Sequence, residues 1–215
     1  MTSAIDELVR GITWRLRALR RGRRYYSTYD LLRQYKARVL SYAEHRTAAL
    51  YHATDSALHR LDSLQTRFLR ELGVSETDAL LTHNLAPLAA RRDIAMLGVI
   101  HRATLQKGPP QLHRFFRRAA ELPFERTRAD AARHSRHLED PRQGRFLEIL
   151  KRSALGLVAI YNLLPAEVVL ETDVSRFQGQ LQLLLKGAAT ARHPRWRRLF
   201  SPREVLTSHP LRQRR

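Results

Sequence analysis

The residues whose types could do chemistry are of three kinds: adjacent carboxylates, spaced histidines, and a basic run that ends in aromatics. The carboxylate pairs are Asp6-Glu7 and Glu139-Asp140. Adjacent acids held at a rigid turn could bind two divalent ions and support phosphoryl transfer, with the ions stabilising the attacking and leaving oxygens. Neither pair suits that task. Asp6-Glu7 falls at a helix start, where the helix dipole favours an acid. Glu139-Asp140 falls in a polar stretch that is expected to be solvated. The chain has no Asp-Asp pair.

The histidines are His52 with His59, two helical turns apart if both are helical, and His134 with His137, one turn apart. No His-Glu-x-x-His is present and no third ligand stands at a telling distance, so ordinary polar or partly buried histidines are expected and no metal site. Cysteine is absent, which excludes disulfides, thiolate zinc sites and cysteine nucleophiles. There is no Gly-x-Ser-x-Gly elbow and no glycine-rich loop ending in Gly-Lys-Ser/Thr. The expectation is a protein with no catalytic residues and no cofactor.

The basic run carries the binding signal. Arg15, Arg17, Arg20, Arg21, Arg23 and Arg24 are followed directly by Tyr25 and Tyr26, and Lys36 and Arg38 come soon after. Cations can neutralise phosphates while aromatic rings stack on unpaired bases. The plainer alternative is that the arginines are solvated and the tyrosines anchor a turn. Arg91-Arg92 lies near a helix start, where cations oppose the dipole. A nearby acid such as Asp93 or a bound phosphate would relieve them, and of the two an internal salt bridge is expected.

Composition agrees with a polyanion partner. The chain has 215 residues, Lys+Arg 39 against Asp+Glu 20, and a formal net charge of +19. Most of the cations are arginine, whose planar fork suits phosphate. Charge alone favours nucleic acid first and an anionic membrane surface second; the partner expected is RNA or DNA, bound nonspecifically through its phosphates, and no membrane. Hydrophobic residues make up 43%, enough for a real core. The longest apolar stretch, Ala154 to Tyr161, is far too short to span a bilayer. Asp6, Glu7 and Arg10 interrupt any signal-peptide core, and Arg20-Arg21-Gly22-Arg23-Arg24 has the composition of a weak nuclear address. A cytoplasmic or nuclear location is therefore expected.

The elements that must position these residues read as helices throughout. Ile5, Leu8, Ile12, Leu16 and Leu19 recur every three or four residues and form one apolar stripe, after a start near Ser3. A second helix from Ser27 or Thr28 turns Leu32, Tyr35, Val39 and Tyr42 inward. A third follows Thr54 or Asp55, with Leu58, Leu61, Leu64, Phe68 and Leu72 inward and Gly73 at its end. Ser75 and Asp78 have capping-box spacing for a short helix that Asn84 breaks. Pro87 starts the next, with Leu88, Ile94, Leu97, Ile100 and Leu105 inward, and Lys107-Gly108-Pro109-Pro110 stops it.

Phe115, Phe116, Leu122 and Phe124 suit a short helix and tail. Residues 126–145 are Arg, His, Asp, Ala and Ser with almost no large apolar side chain, which predicts a flexible linker or a solvated helix. Phe146, Ile149, Leu150, Leu157 and Ile160 suit a buried helix that ends at the Asn162–Pro165 turn. Val174, Phe177, Leu181 and Leu184 suit one more. No run shows strand alternation. The fold class is all-α: a multi-helix bundle over 1–125, a basic polar linker over 126–145, a small helical module over 146–190, and a basic irregular tail over 191–215.

Three segments in order carry a resemblance. Leu61-Asp62-Ser63-Leu64-Gln65-Thr66-Arg67-Phe68-Leu69-Arg70 comes first, Leu85-Ala86-Pro87-Leu88 with Arg91-Arg92 second, and Tyr161-Asn162-Leu163-Leu164-Pro165 with Phe177 third. Together they resemble the region after the polymerase core in reverse transcriptases of non-LTR (LINE-type) retrotransposons. Many members of that family carry Trp where Tyr161 stands. The resemblance runs roughly from the first helix to Pro202, with Tyr29 to Tyr51 resembling the thumb-like helices. It implies a role in holding template, primer or element RNA. The palm with its catalytic aspartates, the fingers and an endonuclease are absent from this chain. The expectation is a non-catalytic fragment, either a decayed reading frame or a piece of a longer product, with nonspecific RNA or DNA affinity. The alternative is a helical protein-interaction module, in which apolar faces left open seek a partner or self-associate.

Overall fold

The computed structural model describes residues 2–119, 134–140, 147–203 and 209–212. The chain is all-α, with no strand or sheet among the described residues beyond one isolated antiparallel bridge between Arg118 and Leu138. Leu122, Phe124 and Phe146, given core roles from the sequence, lie outside the described residues, as do 120–133 and 141–146 of the stretch read as a linker.

Helix α1 (Thr2–Arg21) buries the expected stripe, from Ile5 to Leu19. A 3-10 turn, Gly22–Arg24, leads to α2 (Thr28–Tyr35), whose N-cap Ser27 accepts from the Asp30 amide. The helical path continues through a π segment, Lys36–Leu40, into α3 (Ser41–Glu44), and α4 (Thr47–Leu50) follows. Helix α5 (Asp55–Glu71) starts at Thr54, whose hydroxyl accepts from the Ala57 amide. Gly73 ends it at φ 71°, with Gly73 N–H donating to Arg70 O and Val74 N–H to Leu69 O. That pair of bonds is the Schellman arrangement, which glycine enters without a Cβ penalty.

Ser75 caps α6 (Glu76–Leu81), and Asn84 at φ 52° turns the chain after it. Pro87, expected in the first turn, is the N-cap of α7 (Leu88–Thr104), one position before it. Helix α7 is apolar on most of its circumference because it lies between two cores. Its start, Leu88, joins the first core, which α1, α2, α5 and α6 build from Ile5 to Leu88. The rest of α7, from Ala90 to Ala103, joins the second with the C-terminal helices.

The second core differs from expectation in three places. The apolar spacing predicts one helix ending at the Asn162–Pro165 turn. Two short ones form instead, α9 (Leu147–Lys151) and α10 (Leu157–Asn162), after the small α8 (Pro110–His113). Ser153 caps a 3-10 turn between them, and Gly156 sits so close to Leu150 O and the Lys151 Cα that a Cβ would come within 2.8 Å of both. Ile149, expected to be buried, is exposed.

Second, residues 134–140 are not a free linker. Leu138 is buried, and the Asn162 side chain clasps its backbone on both sides: Leu138 N–H donates to Oδ1 at 2.9 Å, and Nδ2 donates to Leu138 O at 2.8 Å. Arg136 donates to the carbonyls of Val169 and Glu171, at the end of α11 (Ala166–Leu170).

Third, the tail read as irregular contributes core. Helix α12 (Val174–Thr190), capped by Asp173, packs along α7 with Phe177, Leu181 and Leu185 fully buried. Beyond it Trp196, Leu199, Phe200 and Leu211 are buried in the same core. Their apolar character was masked in the sequence by the arginines and prolines around them.

Candidate nucleic-acid interface

The helical period sets the site. On α1 the residues at i, i+4, i+7 and i+11 from Arg10 are Trp14, Arg17 and Arg21, and at 100° per residue all four fall opposite the Ile5–Leu19 stripe. All four are exposed, and Trp14 is 68% exposed. Arg23 and Arg24 extend the row through the 3-10 turn, also exposed. Tyr25 at 84%, Tyr26 at 54% and Tyr29 at 63% follow. Large aromatics on a water-facing surface are normal one at a time; four within sixteen positions, interleaved with arginines, form a distinct patch.

The ten residues singled out from sequence divide. Arg17, Arg21, Arg23, Arg24, Tyr25 and Tyr26 lie on this continuous stretch. Arg20 does not face outward: its guanidinium makes two bonds of 2.7 Å to the carboxylate of Glu71 on α5. Arg15 is also engaged internally. It lies 3.6 Å over the Tyr42 ring and donates to Gly11 O at 3.1 Å. Lys36 is half-buried and Arg38 exposed, both on the π segment rather than in the α1 row. Sequence reasoning missed Trp14 and Tyr29. A helical wheel would have found Trp14, since it is one turn from Arg10 and nearly one from Arg17.

Electrostatics favour this row as an anion site because the acids are spent elsewhere. Asp6 holds Arg60, Glu7 holds Arg46, Asp30 holds Arg33, and Glu71 holds Arg20. Glu44, Asp62, Glu76 and Asp55 hold Arg91, Arg92, Arg197 and Arg203. Among the described residues Arg10, Arg17, Arg21, Arg23 and Arg24 form no ion pair. The salt bridges expected at Arg91 and Arg92 exist, but Asp93 is not the acid. It turns to Tyr51 instead.

The segments that carry the family resemblance make structural bonds. Asp62 pairs with Arg92. Buried Gln65 donates to Ala86 O at 3.0 Å and accepts from the Tyr35 hydroxyl at 3.3 Å, tying the first segment to the second. Tyr161 and Asn162 of the third are buried. His101 Nε2 lies 2.8 Å from Glu171 O, so it carries the proton and donates. His101 Nδ1 then accepts from the Tyr161 hydroxyl at 2.9 Å. The imidazole stacks on Phe177 at 3.9 Å. Burial pulls its pKa down to about 4, with Arg136 and Lys107 adding to the pull against the Glu171 carbonyl.

The other chemically suggestive groups are spread across the fold. Of the acid pairs, Asp6 and Glu7 each hold an arginine. His52 is in a turn and His59 on α5, so they share no helix. His134 is buried, edge-on to Tyr161. Among the described residues no group of three or more His, Asp or Glu could hold a metal ion, and no helix is long and apolar enough to cross a membrane. A small cavity of about 70 Å³ opens beside Tyr51, Arg92, Asp93 and Arg203.

Comparison with protein-family models, with curated proteins and with solved structures finds no match to the chain.

Proposed function

We propose that the chain is a non-catalytic, all-helical protein that binds RNA or DNA without sequence preference, through the outer face of α1 and the turn after it. Its resemblance to the region following the polymerase core of non-LTR retrotransposon reverse transcriptases supports a role in holding nucleic acid rather than copying it. The observation that carries the reading is the row Arg10, Arg17, Arg21, Arg23 and Arg24, exposed and without an acid partner among the described residues. The paired arginines elsewhere contribute structure, not phosphate contacts.

Counterion release supplies the test. If five arginines neutralise five phosphates of a single strand, log K falls against log salt with a slope of about −3.5. Reversing Arg17, Arg21, Arg23 and Arg24 to Glu abolishes most of the binding and flattens the slope. Arg20 is left alone, because its loss would break the Glu71 pair and confuse binding with stability. Salt-independent binding, or none at low salt by a folded chain, rejects the proposal. Growth in particle size with concentration, without nucleic acid, would then favour the interaction module.

A further inference from the structure

We infer that the α1 face selects unpaired nucleic acid, with Trp14 as the base-stacking platform between two phosphate-binding arginines. The inference rests on the nucleic-acid reading above and names its substrate class: single strands rather than duplex.

The placement of the aromatic rings carries it. Trp14 lies on the same outer line as Arg10 and Arg17, about one helical turn from each, about 6 Å and about 4.5 Å along the axis. Cations at those offsets can hold the backbone on either side of a base laid on the indole. Among the described residues Trp14 makes no ring or cation–π contact, whereas Trp196 is buried and touched by Arg197. The indole is therefore free to receive a ring.

The tyrosines are not equivalent. Tyr26 lies against Gly22, where a Cβ would come within 2.9 Å of its ring. Tyr29 faces His83 at 6.3 Å. Tyr25, the most exposed, is the second open platform. It stands about 17 Å along the chain axis from Trp14. A short unpaired strand can reach from one platform to the other along the arginine row. A duplex offers its phosphates to the arginines but keeps its base faces stacked inside, so only a single strand can use both platforms.

The full chain is titrated with an oligo-uridine strand and with an RNA duplex of matched length, at one salt concentration. Trp14→Leu keeps an apolar side chain but removes the ring, and the position is exposed, so the fold is kept. Trp14→Phe restores a ring. The expected result is tighter single-strand binding that drops about tenfold in Trp14→Leu and recovers in Trp14→Phe, with duplex affinity unchanged. Tryptophan emission is quenched by the single strand and not by the duplex, since Trp196 is buried. Equal affinities for strand and duplex, or an unquenched Trp14 with Trp14→Leu binding normally, overturn the stacking inference. The salt slope and its loss on arginine reversal would then still stand for the phosphate reading. Loss of all salt-sensitive binding overturns both.

Discussion

Tyr51 donates its phenolic hydrogen to Asp93 Oδ1 at 2.7 Å, and both side chains are buried between α5, α7 and the C-terminal segment. Asp93 has an arginine next to it in sequence, yet Arg92 points to Asp62 at 2.9 Å. Burial pushes the Asp93 carboxyl up to about 7, against the opposing effects of Tyr51, Arg92 and Arg203.

A raised carboxyl pKa makes the folded state hold the proton longer than the unfolded chain does. Between the ordinary carboxylate range and about pH 7 the folded state binds more protons, so this group's contribution to stability falls as pH rises, and levels off above about 7. Asp93→Asn removes that slope. The stability of the parent relative to Asp93→Asn should decline by about 2 kcal/mol between pH 5 and 7. Urea melts at several pH values measure it, and parallel profiles for the two proteins would reject the assignment.

His101 works in the opposite direction. Its folded pKa of about 4 lies below the unfolded value near 6.5, so its contribution is full above about 6.5 and is lost as pH falls toward 4. The two slopes oppose each other over most of the same window, which flattens the parent's pH profile. In His101→Gln the Asp93 slope is no longer opposed by His101, so the variant loses stability relative to the parent as pH rises through the window. In ¹H NMR the His101 imidazole should stay neutral down to about pH 4; titration of His101 near its ordinary value of about 6.5 would contradict this.

Arg203 fastens the C-terminal segment to the start of α5. It donates to Tyr51 O and Ala53 O at 3.1 Å each and pairs with Asp55. Arg203→Ala should cost about 2–3 kcal/mol, because charge-assisted bonds to buried carbonyls are lost together. Arg203→Lys, lacking the fork, should fall between the two. Thermal melts that leave Arg203→Ala within 0.5 °C of the parent would refute the clasp.

Asn162→Ala leaves the Leu138 N–H and C=O without partners inside the second core. The expected loss is about 2–4 kcal/mol, with the Leu138 amide losing its protection from hydrogen exchange. An unchanged exchange rate at Leu138 would show that the clasp contributes nothing.

Arg192 sits at φ 52° after α12, with His193 N–H donating to Ala188 O in the arrangement that Gly73 adopts after α5. Arginine carries a Cβ cost there that glycine avoids. Arg192→Gly should raise stability by about 0.5–1 kcal/mol. A lower melting temperature would count against it.

The helices were legible where periodicity and caps agreed. Ile5 to Leu19, Thr54 with Gly73, and Ser75 with Asp78 each pair an apolar stripe with a terminal signal, and all three form as read. What was not legible depends on partners far away in sequence. Nothing local to Leu138 announces that an amide 24 positions on will hold its backbone. The same holds for Arg20, whose partner is 51 positions away, so that one arginine of a basic run becomes structural while its neighbours stay in water. Trp14 was legible in principle, since its place on the wheel needs only the helix. Phe200 and Trp196 were hidden because burial there is decided by α7 and α12, not by the basic composition around them.

The division of the core along the chain has a consequence for the order of synthesis. Every residue of the first core lies between Ile5 and Leu88. It can therefore close while the rest of the chain is still being made. The second core takes Ile94, Leu97 and Ile100 from α7 but finishes them with Phe177, Leu181, Leu199 and Phe200. At a ribosomal pace of about 5–20 residues per second, the far face of α7 stays uncovered for about 5–20 seconds after it emerges. During that interval the nascent chain presents a finished basic helix beside an open apolar one, so a polyanion bound early on α1 would meet a half-built molecule.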